Sequence, residues 1–550
     1  MNFDPVLLTS RLGPMKTAGW WRDETIDVYF RRALRNCPDK PAVVAYRDGK
    51  AEPVRLTYHE LDERTDRIAR GLAALGVAHG DLVTFQLPNC WQFIALSLAC
   101  ARLGAAANPV MPIFRQHELT YMLSFGESKV FVVPKTFRKF DYETMARELQ
   151  PKLPLLKQVV VIDGDGEDSF DRLLMRDDTP PLSGPGLAPD DVALLMYTSG
   201  TTGEPKGVMH TSNTLFSNLH AYIERMELGS SDVILGASPM AHLTGYGYLA
   251  MLPLILNSTT VLQEIWDPAR ALEIVRDEGI TFSMASTAFI SDMCAAVEAG
   301  APVSPQFTKF NCAGAPIPPV VIARANELMG LRVCSAWGMT ECGAVTVTEP
   351  ARALEKSGES DGRPLPGIEV RIAEADGAPL PHGETGRLLI RGASLFAGYL
   401  KRPQLNATDA EGWFDTGDLA FQDAEGYIRI SGRSKDIVIR GGENIPVVEI
   451  ENLLYQHPAI TTVAVVGYPD RRLGERVCAF VSLKPGFTVT FADLTAYLDK
   501  QQVAKQYYPE RLEIVDDLPR TPAGKLQKFK LREAAKRFGE TASTPTEGGR

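Results

Sequence analysis

The 550-residue chain has no basic surplus, no long apolar run and no paired-cysteine pattern, and each absence excludes something. Its formal charge is −10 at pH 7. A general nucleic-acid binder, which carries an excess of Lys and Arg, is therefore excluded. Anionic ligands are not, because a few local cations and backbone N–H groups suffice to hold a phosphate. The longest apolar stretches, such as Tyr246 to Leu256, are too short to span a bilayer. The opening residues Met1-Asn2-Phe3-Asp4-Pro5 lack the charged-then-apolar pattern of a signal peptide. The eight cysteines form no C-x-x-C pair and no zinc-ligand spacing. Free thiols in so large a chain point to a reducing compartment, so a cytoplasmic protein is expected. No internal repeat is visible.

Apolar residues make up 45% of the chain and charged residues 23%, a globular composition. The length exceeds what one core serves, so more than one domain is expected. β-Branched runs such as Val159 to Ile162 and Thr462 to Val466 alternate with helical patterns such as Glu60 to Leu75. This predicts α/β layers with largely parallel sheets. Gly362 to Gly398 differs: short strands are broken by Gly and Pro, with turns at Asp376-Gly377 and His382-Gly383. It reads as an antiparallel, barrel-like part. A boundary is expected near Arg433-Ser434-Lys435-Asp436, beyond which a strand, a Gly-Gly turn and a helix from Val447 begin a new unit. The expected division is an N-terminal domain over 1–432, a small α+β domain over 433–538, and a disordered tail from Gly539, rich in Gly, Thr, Ser and Glu.

The strongest local signal is Tyr197-Thr198-Ser199-Gly200-Thr201-Thr202-Gly203-Glu204-Pro205-Lys206-Gly207, which follows the apolar strand Val192 to Met196. Glycines let a backbone approach an anion, hydroxyls donate, and Lys206 supplies charge. The loop suits a pyrophosphate, yet it is not a Walker A loop, because no G-K-[ST] follows at the right spacing. Four further strings accompany it: Trp337-Gly338-Met339-Thr340-Glu341, Phe414-Asp415-Thr416-Gly417-Asp418, Gly432-Arg433-Ser434-Lys435-Asp436 running on to Arg440-Gly441-Gly442-Glu443, and Pro519-Arg520-Thr521-Pro522-Ala523-Gly524-Lys525. Singly each has a bland reading: Asp418 as a turn former, Lys525 as a solvated charge, Trp337 as core, Glu341 as a helix-terminal charge. Their conjunction with the glycine loop reverses those odds.

Together, in this order from Leu56-Thr57-Tyr58 to Lys525, these strings resemble the adenylate-forming superfamily of acyl-CoA synthetases, nonribosomal adenylation domains and luciferase. The likeness covers nearly the whole chain. Within it, the text around Gly441 to Glu451 and Arg511 to Lys530 is most similar to medium-chain and alicyclic acid–CoA ligases, cyclohexanecarboxylate–CoA ligases above all. The resemblance implies a large domain of two α/β subdomains plus a distorted β-barrel, and a small mobile C-terminal domain. It implies ATP, Mg²⁺ and coenzyme A as reactants or cofactors. Thr198, Ser199, Gly200, Thr201, Thr202, Gly203 and Lys206 would hold the β- and γ-phosphates. Gly314, Ala315 and Pro316 would cover adenine on one side and Trp337, where many relatives have Tyr, on the other, with Gly338, Met339 and Ile430 completing the nucleotide site. Thr340 would bond the α-phosphate, Glu341 with Thr202 would hold Mg²⁺, Asp418 would take the ribose hydroxyls, and Arg433 would reach ribose or phosphate. Lys525 would bridge the acid's carboxylate and the α-phosphate. Arg440, Gly441, Gly442 and Glu443 would serve coenzyme A, with Lys435 as the hinge.

For the acid, the resemblance implies a site formed by His242, Leu243, Tyr246, Gly247, Ala313, Gly314 and Gly338. Tyr246 and Phe289 are its bulky walls and Ser286-Thr287 a departure of uncertain shape. His242 stands where relatives have an aromatic or His beside the carboxylate, although a single His in an apolar stretch is usually core. Other readings stay open at this point: a medium-chain or aromatic acid–CoA ligase, an adenylation enzyme loading a carrier protein, a luciferase-like oxygenase, and a nucleotide-binding regulator without turnover. Oligomeric state, a homodimer included, is also open.

Overall fold

The computed structural model describes residues 3–198, 205–314, 317–433, 438–440, 443–445, 447–470, 473–501, 503, 505–520 and 526–540. Two large mixed sheets form the bulk of the molecule. In the nine-stranded sheet the six central strands, Arg332–Met339, Lys309–Cys312, Phe282–Ala285, Val233–Gly236, Thr259–Gln263 and Pro41–Tyr46, run parallel. The flanking strands Gly343–Val347 and Val54–Thr57 pair antiparallel to them. The seven-stranded sheet is parallel from Val192–Thr198 through Ala106–Pro109, Leu82–Phe85 and Val130–Pro134 to Gln158–Ile162. Its antiparallel edge is Lys206–Thr211 followed by Gly398–Tyr399.

Sequence explains this layering. Leu82–Phe85, Ala106–Pro109 and Val130–Pro134 are buried at every position, as strands covered on both faces must be. The helix Trp91–Leu103 is apolar on all sides and buried from Trp91 to Arg102. A helix without a polar face has to lie inside the protein. Its charged residue, Arg102, is compensated by Asp27 at 3.0 Å and Asp62 at 2.7 Å. The helix Tyr58–Ala74 starts with a reciprocal cap between Thr57 and Glu60.

The turn-rich stretch does form an antiparallel sheet, but a longer one than Gly362 to Gly398. Its strands are Ile368–Ala373, Gly386–Gly392, Phe414–Gln422 and Ile428–Arg433. Of the two extra strands, Phe414–Gln422 carries the Asp418 motif, which the sequence presents as a turn rather than as sheet, and Ile428–Arg433 leads into the Gly432-Arg433 motif. The C-terminal part builds its own sheet from Val438–Arg440, Glu443–Ile445, Ile460–Asp470, Gly474–Leu483 and Arg511–Ile514. The helix starts at Val447, as expected. The tail expected to be disordered from Gly539 is helical at its first two residues, because the final helix Lys528–Glu540 includes Gly539 and Glu540; residues 541–550 lie outside the described residues. All eight cysteines are unpaired, and all but Cys37 are buried. Among the described residues no helix is long and apolar enough to cross a membrane.

Candidate active site

The glycine-rich loop joins Val192–Thr198 to Lys206–Thr211, and the antiparallel register sets Thr198 opposite Lys206 at its base. Ser199, Gly200, Thr201, Thr202 and Gly203 lie outside the described residues. The Lys206 ammonium lies 4.7 Å from the Tyr399 ring centre. The Tyr399 hydroxyl in turn donates to Glu341 Oε1 at 2.6 Å. One ring therefore touches both the loop's cation and the carboxylate of the second motif. Tyr399 belongs to the edge strand Gly398–Tyr399, paired with Lys206–Thr211, and no sequence signal singled it out. Its phenol stays protonated, because burial first and Glu341 second push its pKa up.

The second motif sits at the end of the strand Arg332–Met339. Its ladder to Gly343–Val347 shifts register between Trp337 and Gly338. Such a bulge re-aims the side chains beyond it. Gly338 fits there because a Cβ would lie 2.2 Å from the Gly343 carbonyl oxygen. Met339 packs under the barrel-like sheet with Phe396 and Phe414, and Thr340 is half-buried. The Thr340 carbonyl is held at 2.7 Å by His210 Nε2. A carbonyl only accepts, so the His210 proton is on Nε2. Burial pushes this imidazole down to about 4, leaving it neutral.

Asp418 is buried, following Gly417 in a left-handed conformation (φ +74°). Its Oδ2 accepts the indole N–H of Trp337 at 3.0 Å. Arg433 is the residue opposite Asp418 in the antiparallel register. Ile430 donates its N–H to Asp361 Oδ2 at 2.8 Å, and its side chain and Trp337 both pack on the cluster of Ile372, Leu388, Ala420 and Ile428. Asp361, a second carboxylate that the motifs did not reveal, has its pKa raised by burial, with the Asp418 charge adding to the shift. Gly314 is exposed with φ +83°, and Ala315 and Pro316 lie outside the described residues.

Glu341 is 6% exposed, and its Oε1 accepts the Tyr399 hydroxyl. Among the described residues no cluster of three or more His, Cys, Asp or Glu could hold a metal. A lone carboxylate nevertheless suits Mg²⁺, which keeps several waters and takes the remaining ligands from phosphate oxygens. Thr202, its expected companion, lies outside the described residues.

Of the residues expected at the acid, His242 is exposed rather than core, and its Nδ1 accepts the Thr244 N–H at 3.3 Å. Leu243 is buried, and Thr244–Met251 winds as a π-helix, a rare form common at functional sites. Beside it lies a narrow space lined by His210, Leu215, Asn218, Leu219, Gly247 and Tyr248, with Leu243 and Gly343 also touching it. The space is so thin that no water-sized sphere fits in it. The sequence pointed to Leu243 and Gly247 but not to His210, Asn218 or Tyr248, which come from helix and strand positions with no motif. Tyr246 is instead core, its ring 6.3 Å from Phe93, and Phe289 packs 4.6 Å from Trp266. Ala313 and Gly338 are half-buried, and neither they nor Gly314 line this space. Ser286 precedes the helix Thr287–Glu298 as its N-cap.

In the C-terminal part, Arg440 and Glu443 are partners across an antiparallel pair. Arg440 Nη1 donates to Glu510 at 2.6 Å. Gly441, Gly442, Lys435 and Lys525 lie outside the described residues. An isolated bridge between Arg520 and Leu526 brackets the Lys525 segment, and Gln527 donates its N–H to the Pro519 carbonyl at 2.8 Å.

Comparison with known proteins agrees with this geometry. The family described as AMP-binding enzyme matches residues 30–400, and its C-terminal domain matches 449–525. A medium-chain fatty-acid–CoA ligase of Escherichia coli (strain K12) is 34% identical over 529 residues, covering 95% of this chain and 92% of that protein. A salicylyl-CoA synthase / salicylate adenylyltransferase of Streptomyces sp is 34% identical over 534 residues, covering 95% of each chain. The crystal structure of ATP-bound MatB from Rhodopseudomonas palustris superposes with a TM-score of 0.81 at 28% identity, over 94% of this chain and 100% of that one. The chain belongs to the AMP-binding enzymes and is an ATP-dependent acid–thiol ligase that works through an acyl-adenylate.

Proposed function

We propose that the enzyme joins a compact hydrocarbon acid, cyclohexanecarboxylate or a similar alicyclic or medium-chain acid, to coenzyme A. One observation carries this reading: the polar groups lining the space beside Thr340 to Gly343 are already satisfied by one another. Asn218 gives both N–H groups to the Cys342 and Ala344 carbonyls and accepts the Tyr248 hydroxyl. Tyr248 in turn accepts the Ala344 N–H. Both nitrogens of His210 are engaged as well. A hydroxyl on the acid would find no partner there, and burying one unpaired costs ~1–3 kcal/mol. This favours a plain hydrocarbon over a hydroxylated aromatic acid, and the overall likeness to medium-chain and alicyclic acid–CoA ligases disfavours a long chain.

In the first step a carboxylate oxygen attacks the α-phosphorus and pyrophosphate leaves. Here the protein positions two anions and offsets their charge. Lys206 and the glycine loop take the phosphates, Thr340 the α-phosphate, Asp418 and Arg433 the ribose, and Lys525 both reacting anions. Bound Mg²⁺, held by Glu341 with Thr202, would neutralise phosphate charge. In the second step the thiol of coenzyme A attacks the acyl carbon and AMP leaves, with Arg440, Gly441, Gly442 and Glu443 beside the thiol and Lys435 the pivot between the 1–432 and 433–538 domains.

A coupled AMP-release assay across linear, alicyclic and aromatic acids, with acyl-CoA measured in parallel, tests this. The expected order of kcat/KM places cyclohexanecarboxylate above salicylate and palmitate. A higher value for palmitate than for any ring acid overturns the reading. The nearest competitors are benzoate and medium linear acids, since a methylene discriminates by only ~1–3 kcal/mol.

A further inference from the structure

We infer that Trp337 is a positioning residue for the ribose carboxylate, so that recognition of the base and of the 2′-hydroxyl are coupled through one indole. The inference rests on the reading of Asp418 as the ribose ligand. It adds to the stacking role the fixed orientation of that carboxylate.

The geometry is specific. Trp337 Nε1 donates to Asp418 Oδ2 at 3.0 Å. An indole has a single donor and no acceptor, so this bond fixes the ring's rotation as well as the carboxylate's. Asp418 is buried and Trp337 half-buried, so water competes weakly for the bond. A hydrogen bond to a charged acceptor in such a setting is among the stronger kinds. The two partners come from different sheets: Trp337 from Arg332–Met339, Asp418 from Phe414–Gln422. The bulge between Trp337 and Gly338 sets where the indole leaves its strand. The ring packs against the buried cluster of the barrel-like sheet formed by Ile372, Leu388, Ala420 and Ile428. The carboxylate is thus held from outside its own hairpin, by the side chain whose flat face serves adenine. Each part that displaces the ring also displaces Asp418.

Trp337→Phe keeps an aromatic face and removes the donor. Trp337→Tyr keeps more of the volume and carries no donor at the indole N–H position. In each, the KM for ATP and for 2′-deoxy-ATP is measured in acid-dependent adenylation, with folding checked by circular dichroism. Without the bond, Asp418 loses a contact that orients it for the 2′-hydroxyl. The preference for ATP over the deoxy analogue should then fall about three- to tenfold in both variants. If both KM values rise by one factor, leaving the preference intact, Trp337 acts only as a stacking surface and the inference is overturned. If Phe does not fold, Tyr decides alone. Asp418→Ala separates the two claims. Loss of 2′-hydroxyl preference there with none in the Trp337 variants sinks only the positioning role. Retention of that preference in Asp418→Ala sinks the ribose reading itself.

Discussion

His210 enters the folded state neutral, with Nε2 on the Thr340 carbonyl and its ring buried, so protons act on it chiefly through unfolding. Its pKa falls from 6.5 to about 4, with burial the main cause and the nearby Arg11 charge a smaller one. Between those values an unfolded chain binds a proton that the native ring refuses. Stability is therefore full above about 6.5 and declines as pH drops towards 4, by roughly 3 kcal/mol at most. His210→Gln should show a smaller drop in Tm between pH 7 and pH 5 than the natural chain. His220 is also pushed down to about 4 by burial, but it is present in both proteins and cancels. Equal drops would place the pH sensitivity elsewhere. Tyr399 gives a second test at this scale. Removing a hydrogen bond that orients a metal-binding carboxylate typically costs 10–100-fold in metal affinity. Tyr399→Phe should thus raise the Mg²⁺ concentration needed for half-maximal pyrophosphate exchange by about tenfold. An unchanged Mg²⁺ dependence would reduce the hydroxyl to a fastening for the strand Gly398–Tyr399.

Among the elements, the π-helix Thr244–Met251 and the start of the strand Gly343–Val347 meet at the space read as the acid site. Two glycines border it with different tolerance. Gly343 has φ +70°, and a Cβ there would sit 2.6 Å from Asn218 Oδ1, so the fold needs glycine. At Gly247 a Cβ would meet Leu219 Cδ2 at 3.5 Å, an ordinary contact. Gly247→Ala should therefore fold normally while narrowing the space. It is expected to lower kcat/KM about tenfold for a ring acid and less for butyrate, since one methyl is worth ~1–3 kcal/mol. Parallel losses for both acids would show that Gly247 does not border the acyl group.

For the whole molecule, the proposed mechanism asks the small domain to serve two steps in two orientations about Lys435. A hinge residue must adopt two backbone conformations, and proline fixes φ near about −65° and removes the N–H. Lys435→Pro, once shown by circular dichroism to be folded, should retain acid-dependent exchange of pyrophosphate into ATP yet form acyl-CoA slowly. A mutant that is unaffected, or that loses both half-reactions alike, makes Lys435 a plain linker charge. The two C-terminal core clusters, around Val463 and Phe480, give the small domain an interior of its own, which rotation as a unit requires.

The sequence by itself determined the family, the order of its motifs and the α/β layering, because these are local properties: a glycine-rich string after an apolar strand, β-branched runs fully buried, a helix apolar on all sides. It also determined the helix from Val447. The longer antiparallel sheet escaped it because Gly417 and Asp418 look like a turn, yet the chain passes through Gly417's left-handed conformation and continues as strand. The helical Gly539 and Glu540 escaped it because composition weighs the tail as a block, whereas the helix from Lys528 carries on into it. Only the tertiary structure decided that Tyr399 joins Lys206 to Glu341, that Asn218 and Tyr248 satisfy each other, and that Trp337 holds Asp418. Each of these contacts links residues 30 to 193 positions apart. No local pattern encodes such pairings; they arise when the bulge, the sheet edges and the core packing bring distant chain segments to hydrogen-bonding distance.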